Sequence, residues 1–396
     1  MRALINFIIV LITISLGACS DHKSSDVLPC LDVRQNYSEK EIILTDIADV
    51  TYLHLSTEND DYLYQGIIDC ITDNYFIVCD RASGSVLFFS KDGKPKSRFN
   101  RKGQGAEEYI NVMAIVYDED TDDVFITTTG NNEIILVYSS SGEYKRKLVI
   151  KGTFINGFLS YDDESLLIYN SNADIKRNAI DESELPEDYC DVQFIRISKA
   201  DGEVLDYIEL NCKKISLQDK RALKGEGRGG PAGRTNRFIK NKEGLLLCNP
   251  ENDTVFFYGK NKTLTPLICK TPLLDDLDPM VYMNNCVDAG MYQFTEVYIV
   301  RYEEGYFPFP VKYYMRDKQT GEIFRPKITL PDYKGKEFFI SPLRSRNYEN
   351  GIYYELELKE LKEALNENKL GGKLKELIST LNESEDNNVF IMVNFK

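Results

Sequence analysis

A short phrase that returns along the chain constrains the fold more than any other feature. It consists of an apolar strand that ends near an aromatic residue, a polar turn that contains glycine, and a second strand. The phrase occurs at Phe88–Gly93, Val137–Gly142, Ile197–Gly202 and Tyr314–Gly321, and in a degenerate form at Phe257–Lys262. Return at about every 50–60 residues means that one supersecondary unit is used repeatedly. Four short strands per unit, joined by tight turns, are typical of a β-propeller blade.

The predicted units divide the chain into six blades. They span about residues 67–99, 113–150, 154–212, 235–270, 290–330 and 337–396, and the third contains a polar insertion at 172–186 that we predict to be a loop or short helix. The strand-like segments Val50–Leu55 and Val389–Phe395 are predicted to share one blade, because such a clasp closes the ring and removes an open sheet edge. The sequence therefore predicts an all-β fold, a six-bladed β-propeller of four-stranded antiparallel blades.

Two helices are predicted near the C-terminus. Apolar residues recur at helical spacing over Leu358–Leu365 and Leu374–Leu381. We expect both helices to be short and to pack against the last blade. A helix that binds a partner is the alternative.

The N-terminus is predicted to be a targeting segment. Met1 and Arg2 give a positive start, Ala3–Leu16 is an apolar run of signal-peptide length, and small residues precede Cys19. We predict a lipoprotein signal peptide over residues 1–18, a lipidated Cys19 with a polar tether over 19–40, and the propeller over 41–396. The expected location is the cell envelope, as an outer-membrane lipoprotein, because Ser20 is not acidic. The alternative is an ordinary secretory signal with an incidental cysteine.

Composition excludes some classes of partner. A net charge of −15 argues against nucleic acid, because phosphate binding needs basic stripes. None of the nine cysteines forms a pair spaced by two residues, so a zinc site is not indicated. Most of them lie in apolar strands and are predicted to be buried. Cys70 and Cys79 flank one turn and are the most favoured pair for a disulfide.

One segment after the first blade carries a family resemblance. It reads Arg101-Lys102-Gly103-Gln104-Gly105-Ala106-Glu107-Glu108-Tyr109. This is similar to the Gly-Arg-Lys-Gly-Gln-Gly-Pro-Gly-Glu-Tyr type of phrase in the NHL-like six-bladed β-propeller lipoproteins of Gram-negative bacteria. Asn100 stands for the leading glycine of that phrase, and Ala106-Glu107 stands for its Pro-Gly. The resemblance covers residues 41–396 and implies the fold, with binding rather than a defined chemistry as the expected activity.

Residues that could carry chemistry are few. His22 lies in the predicted tether and His54 in an edge strand, so neither a catalytic triad nor a histidine-rich metal site is indicated. The acidic run Asp118–Asp123 has the length of a hairpin turn and lacks EF-hand spacing, which favours a solvated turn. The glycine-rich run Lys224–Arg234 lacks the ending of a nucleotide-binding loop and is predicted to join blades three and four. We expect no catalytic residue, no metal and no cofactor.

Propeller topology sorts the loops onto two faces. With strands counted from the axis outwards, the loops between second and third strands and the links between blades share one face, called here the connection face. The glycine turns lie on the other face. The connection face collects amides and basic residues, a composition typical of a polar recognition surface, although ordinary surface loops are the alternative. Its candidate ligand-binding residues are Arg81, Arg101, Lys102, Gln104, Asn131, Asn132, Arg228, Arg234, Arg237 and Asn252.

The predicted function is that of a non-catalytic, membrane-anchored propeller. Its ligand or partner is expected to be a glycan, a peptide or an outer-membrane protein. One alternative is a propeller enzyme that acts on saccharides or small esters through carboxylates in the channel. A third possibility is a structural subunit of a larger outer-membrane assembly.

Overall fold

The computed structural model describes residues 28–57, 60–173, 190–210, 236–249, 252–300, 310–344 and 351–396. The predicted signal peptide, Cys19, most of the insertion at 172–186 and the glycine-rich run lie outside the described residues. Within them the chain forms six sheets that stand as blades around a ring. The predicted fold class, an all-β six-bladed propeller, is therefore confirmed. No helix in the described ranges is long and apolar enough to cross a bilayer.

The N-terminal segment follows the outer edges of two blades before it joins the ring. It forms β1 (Cys30–Asp32), β2 (Glu39–Ile43), the one-turn helix α1 (Leu44–Ile47) and β3 (Ala48–His54). β1 lies inside the range 19–40 that the sequence assigns to a tether, because three residues are too few to show a strand periodicity. The chain therefore meets the propeller before residue 41.

Blades one to three each contain four antiparallel strands in chain order. Blade one comprises β4 (Ile68–Ile71), β5 (Tyr75–Cys79), β6 (Val86–Ser90) and β7 (Pro95–Phe99). Blade two comprises β8 (Val112–Asp118), β9 (Asp123–Thr128), β10 (Asn131–Tyr138) and β11 (Tyr144–Val149). Blade three comprises β12 (Ile155–Ser160), β13 (Ser165–Asn170), β14 (Phe194–Ser198) and β15 (Val204–Ile208). These bounds follow the predicted ones closely.

Blades four and five each gain a parallel N-terminal strand at the outer edge. Blade four comprises β16 (Phe238–Asn241), β17 (Gly244–Cys248), β18 (Thr254–Gly259) and β19 (Leu264–Thr271), with β1 beside β19. Blade five comprises β20 (Met280–Ala289), β21 (Tyr292–Val300), β22 (Val311–Asp317) and β23 (Ile323–Leu330), with β2 and the short β24 (Tyr333–Phe338) beside β23.

Blade five begins earlier than the sequence predicts. The predicted start near residue 290 is wrong, since β20 starts at Met280. The register of β20 against β21 shifts between Met283 and Cys286, where Asn284 and Asn285 interrupt the apolar run. A bulge of this kind interrupts the alternation of side chains along the strand, so the periodicity of the sequence does not reveal it.

The ring is closed by strands from both ends of the chain. Three described strands form the sixth sheet, in the order β25 (Gly351–Leu356), β26 (Val389–Phe395) and β3. β26 pairs antiparallel with β3 over its whole length, so the predicted clasp is confirmed. Asn387 secures its start, because its Nδ2 donates hydrogen bonds of 2.9 Å to the carbonyl oxygens of Leu55 and Tyr62.

Two short helices cover the outside of this last blade, as predicted. They are α2 (Leu358–Asn366) and α3 (Gly372–Thr380). Leu361 and Leu374 are fully buried in one cluster with residues of β25 and β26. The apolar faces of both helices thus pack inside the fold. They are not available to a partner, which argues against the alternative of a partner-binding helix.

The burial pattern explains why these segments are strands. Every residue of β9 and of β13 is buried, because these second strands are covered by a neighbouring blade on each side. The outermost strands β7 and β11 alternate between half-buried and exposed residues, with one buried residue near the end of each, as a half-covered edge requires. Burial of apolar strands between blades therefore supplies the core of the ring.

The recurring glycine turn has a definite packing role. Gly142 has φ +85°, and a Cβ built on it would lie 2.4 Å from Cβ of Phe99, at the end of the preceding blade's outer strand. A Cβ on Gly93 would lie 2.1 Å from the carbonyl oxygen of His54 in the same way. At Gly93 and Gly142 the repeat that dominates the sequence thus marks a contact in which one blade packs against the preceding one.

Candidate binding site at the axial mouth

A cavity of about 590 Å³ opens on the face that carries the glycine turns. Blades one, two, three, four and six all contribute to its lining, and the region that five blades share is the ring axis. Its volume falls in the range of small-molecule sites. We call it the axial mouth. The residues that line it are Cys70, Ile71, Thr72, Asp73, Asn74, Lys91, Val116, Tyr117, Asp118, Glu119, Asp120, Ser160, Asp163, Lys199, Lys240 and Asn394.

A second cavity of about 260 Å³ continues around the axis. It is lined by the turn between β16 and β17, by the turn between β20 and β21, and by the end of β26, and it shares Lys240 with the axial mouth. Turns of blades one to five and strand ends of blade six therefore surround the axis on this face.

An ion pair between two blades fixes one side of the axial mouth. Lys199 Nζ lies 2.5 Å from Asp118 Oδ2, and both side chains are only 9% exposed. Lys199 belongs to the glycine turn of blade three, whereas Asp118 ends the first strand of blade two. The other oxygen of Asp118 accepts hydrogen bonds from the backbone nitrogens of Asp120 and Thr121 at 3.1 and 3.4 Å. This carboxylate is therefore part of the wall and is held in a fixed position.

Glu119 is held in the same manner by the neighbouring blade. The backbone nitrogen and Nδ2 of Asn74 donate to its two oxygens at 3.0 and 2.7 Å. Burial opposes ionisation of Glu119, but hydrogen bonds from Thr72 and Asn74 outweigh it and hold the pKa of Glu119 below its usual value. Glu119 is therefore an ionised acceptor.

The remaining lining groups add donors and a small apolar area. Burial lowers the pKa of Lys91, whose Nζ lies 4.5 Å from the centroid of the Phe76 ring. Burial raises the pKa of Tyr117, and its hydroxyl donates to Asp122 Oδ1 at 3.1 Å. The axial mouth thus presents ammonium, amide and hydroxyl donors beside carboxylate acceptors, an arrangement suited to hydrogen-bonding a polar ligand.

The arginines predicted on the connection face are used within the fold. Arg81 Nη1 donates to the carbonyl oxygen of Val112 at 2.7 Å, and its Nη2 pairs with the buried Asp69. Arg101 Nε donates to the carbonyl oxygen of Gly142 at 2.6 Å. Both arginines therefore join blade one to blade two.

Arg237 is also occupied inside the protein. Its guanidinium lies 4.8 Å from the centroid of the Tyr169 ring, and Nη1 donates to Asn249 Oδ1 at 3.1 Å. It is buried, which differs from the exposed position that the sequence predicts. The reason is that β16 begins at Phe238, directly after Arg237, so Arg237 is already packed between blades three and four.

The other connection-face candidates lie on the surface. Lys102, Gln104 and Asn131 are exposed, and Asn132 and Asn252 are half-buried. Arg228 and Arg234 lie outside the described residues, as does Cys19. None of the eight described candidates lines either of the two cavities. Their role in ligand binding stays a prediction.

Two further features bear on possible chemistry. In the described part of the chain, no group of three or more histidine, cysteine, aspartate or glutamate side chains could hold a metal ion. Burial lowers the pKa of His54, and the carboxylate of Asp386, 3.4 Å from Nε2, only partly reverses this. His54 is therefore neutral at pH 7 and belongs to the clasp, and the lining of neither cavity includes it.

Six blades around a polar axial mouth define the protein as a six-bladed β-propeller. The chain belongs to the DUF4934 family, which is described as a domain of unknown function and matches residues 28–394. The narrower resemblance to NHL-like lipoproteins stays a prediction. No curated protein matches the chain.

Solved structures of similar proteins support the fold. A candidate exported protein of Bacteroides fragilis is 16% identical, with 93% of this chain and 100% of that chain covered and a TM-score of 0.61. A member of the DUF4221 family from Bacteroides vulgatus is 12% identical, with 88% and 97% covered and a TM-score of 0.47. Virginiamycin B lyase from Staphylococcus aureus is 13% identical, with 75% and 76% covered and a TM-score of 0.38. The TM-score of 0.61 to the Bacteroides fragilis protein supports the propeller fold.

Proposed function

We propose that this protein is a non-catalytic binding propeller of the cell envelope. Its ligand is a polar, hydroxyl-rich molecule of the oligosaccharide class, and the axial mouth is the binding site. The observation that carries the proposal is the cavity of about 590 Å³ lined by hydrogen-bonding residues from five blades. Hydroxyl groups act as donors and acceptors at once, and this wall offers both partners.

The charges of the axial mouth favour a neutral polar ligand. Three lysines and five carboxylates line the cavity, so neither sign dominates strongly. Asp118 and Lys199 already neutralise one another within the wall. A strongly anionic or strongly cationic ligand would meet like charges on one side of the cavity, which costs affinity.

The rival function, hydrolysis of saccharides or small esters, finds less support at the axial mouth. A general acid in a glycoside hydrolase needs a carboxyl group with a raised pKa. The pKa of Glu119 is lowered, and Asp118 is committed to Lys199. These two carboxylates are therefore fixed acceptors.

The envelope location rests on the N-terminal sequence and on one similar protein. Cys19 follows small residues at the end of an apolar run, the pattern of a lipid attachment site. The similar Bacteroides fragilis protein is a candidate exported protein. In the proposal, the lipid on Cys19 holds the propeller at the outer membrane.

A glycan array probed with the mature chain carrying Cys19→Ser tests the binding proposal. The double variant Asp73→Ala/Asp163→Ala removes two exposed lining carboxylates, and we expect it to lose at least about tenfold in signal on the bound glycans. The matched control Gln104→Ala/Asn131→Ala alters the connection face and should bind like the wild type. Absence of any bound glycan would reject the ligand class, and loss of binding only in the control variant would move the site to the connection face.

A further inference from the structure

Two cysteines face each other where the N-terminal strand meets blade four. Cys30 of β1 is the register partner of Cys269 of β19 in a parallel pair. The two thiols are close enough to hydrogen-bond to each other. Cys30 is exposed and Cys269 is half-buried, so this pair is reachable from solvent.

The geometry of the strand pair suits a covalent link. Neighbouring strands lie about 4.8 Å apart, and register partners point to the same face of a sheet. A disulfide requires Cα atoms about 4.4–6.8 Å apart and side chains that point towards each other. The intervening partners Leu31 and Lys270 are both buried on the opposite face, which fixes the orientation of the two thiols.

We propose that Cys30 and Cys269 form a disulfide that fastens β1 to the outer edge of blade four. The reaction needs an oxidant of the disulfide class, such as a thiol–disulfide oxidoreductase of the envelope or glutathione disulfide. The exposed sulfur of Cys30 first forms a mixed disulfide with the oxidant, and one thiolate of the oxidant leaves. The sulfur of Cys269 then displaces the second thiolate. Two electrons and two protons pass from the protein to the oxidant, which ends as two thiols.

The environment of Cys269 sets the order of these steps. Burial, together with the hydrogen bond that Cys269 donates to Cys30, raises the pKa of the Cys269 thiol to about 12. Only a small fraction of this thiol is ionised at neutral pH, so the closing step accelerates as the pH rises.

The link would act where the tether enters the fold. β1 has three residues and is the first described strand of the chain, so it alone resists a pull from the N-terminus at this edge. A bond to Cys269 transfers that pull to the four-stranded sheet of blade four. This mechanical role rests on the proposed lipid anchor at Cys19, whereas formation of the disulfide does not.

The other described cysteines are poorer candidates. Cys70, Cys79, Cys248 and Cys286 are buried, and Cys190 is half-buried. The sequence favours a Cys70–Cys79 pair, but Cys70 lies opposite Ile77 and Cys79 opposite Val86, so neither faces the other. That prediction is wrong because the register of the hairpin places Ile77 opposite Cys70, two residues before Cys79.

Peptide mapping of the full mature chain tests the proposal. After incubation with glutathione disulfide and denaturing alkylation, we expect Cys30 and Cys269 in one linked peptide pair, about 2 Da lighter than the two reduced peptides. Reduction should lower Tm by roughly 2–8 °C and speed hydrogen exchange at the backbone nitrogen of Val33, which donates to Thr271.

Three variants make the result decisive. Cys30→Ser and Cys269→Ser should each abolish the linked peptide and the Tm shift on reduction, while Cys190→Ser should keep both. Full alkylation of Cys30 and Cys269 after oxidation, or a link from Cys30 to another cysteine, would overturn the proposal. Glycan binding and membrane release are separate readouts, so this test stands or falls independently of the proposed function.

Discussion

Lys199 Nζ lies 2.5 Å from Asp118 Oδ2, and this pair joins the glycine turn of blade three to the inner strand of blade two. A sequence argument alone treats the acidic run that contains Asp118 as a solvated turn. The structure shows an exposed turn only at Asp120 and Thr121, whereas Asp118 and Asp123 at the two ends are held by basic side chains and Asp123 is buried. The ion pair between Lys199 and Asp118 therefore joins two blades and forms part of the wall of the axial mouth.

Removal of Lys199 should destabilise the propeller. Lys199→Met leaves the largely buried Asp118 carboxylate without its counter-ion, and we expect a loss of about 2–4 kcal/mol in the free energy of unfolding. Urea denaturation measures this. Lys40→Met is the control, because Lys40 pairs with Glu322 at 2.6 Å but the two side chains are 42% and 47% exposed. An exposed pair contributes about 0–1 kcal/mol, and equal losses in both variants would contradict the account.

The glycine turns permit a similarly matched comparison. Gly142 and Gly321 both have positive φ, +85° and +76°, but a Cβ at Gly142 would meet Phe99, whereas nothing lies within 4 Å at Gly321. Gly321→Ala should cost about 1–2 kcal/mol from backbone strain alone. Gly142→Ala should cost at least about 3 kcal/mol, since blade one must also shift. Thermal unfolding of both variants checks this, and similar Tm values would remove the packing role assigned to the turn.

Buried Glu296 gives a prediction about pH. It is 1% exposed, and Asn284 Nδ2 and the Tyr298 hydroxyl both donate to Oε1 at 2.5 Å. Burial raises the pKa of Glu296, although hydrogen bonds from Tyr298, Ser341 and Asn284 partly oppose this. The native state therefore retains its proton above the ordinary value of 4.5, where the unfolded chain has already lost it.

The sign of the effect follows from proton binding. In that window the native state binds more protons than the unfolded state, so stability falls as the pH rises through the raised pKa. Glu296→Gln should remove this fall, which urea denaturation between pH 4.5 and 8 would show as a flatter profile. Glu119→Gln is the control, because a lowered pKa acts in the opposite sense. A profile of Glu296→Gln parallel to that of the wild type would show that burial does not control this group.

The predicted anchor can be tested in cells. Lipid attachment at Cys19 should appear as incorporation of labelled palmitate and as recovery of the protein with membranes. Cys19→Ser should abolish the label and shift the protein to the soluble fraction. Cys30→Ser serves as the control and should leave both readouts unchanged. Persistent membrane association of unlabelled Cys19→Ser would show that another feature holds the protein there.

The sequence predicts the blades well because their signal is local. Apolar strands, glycine turns and the terminal strands Val50–Leu55 and Val389–Phe395 each carry a recognisable pattern, and the structure confirms the ring and its clasp. The start of β20 and the strand β1 are not predicted, and the reasons are again local. An Asn284-Asn285 bulge breaks the first pattern, and three residues are too few to form the second.

The axial mouth could not be predicted in the same way. Its residues Asp73, Asn74, Ser160 and Asp163 occur in turns that have ordinary polar composition, and only the closed ring brings them around one axis. For the arginines of the connection face, the sequence predicts ligand binding, whereas the structure shows contacts within the fold. Arg81 and Arg101 suit ligand binding by type, yet each is bonded to the backbone of the next blade, a contact that no sequence pattern reveals.

Hydrogen exchange with and without the strongest glycan of the array is the most direct test of the central claim. We predict slower exchange in the turns at 72–74, 118–120 and 160–163, which line the axial mouth, and no change at 81–85 or 101–104 on the connection face. Slower exchange confined to the connection-face loops would contradict the proposed site.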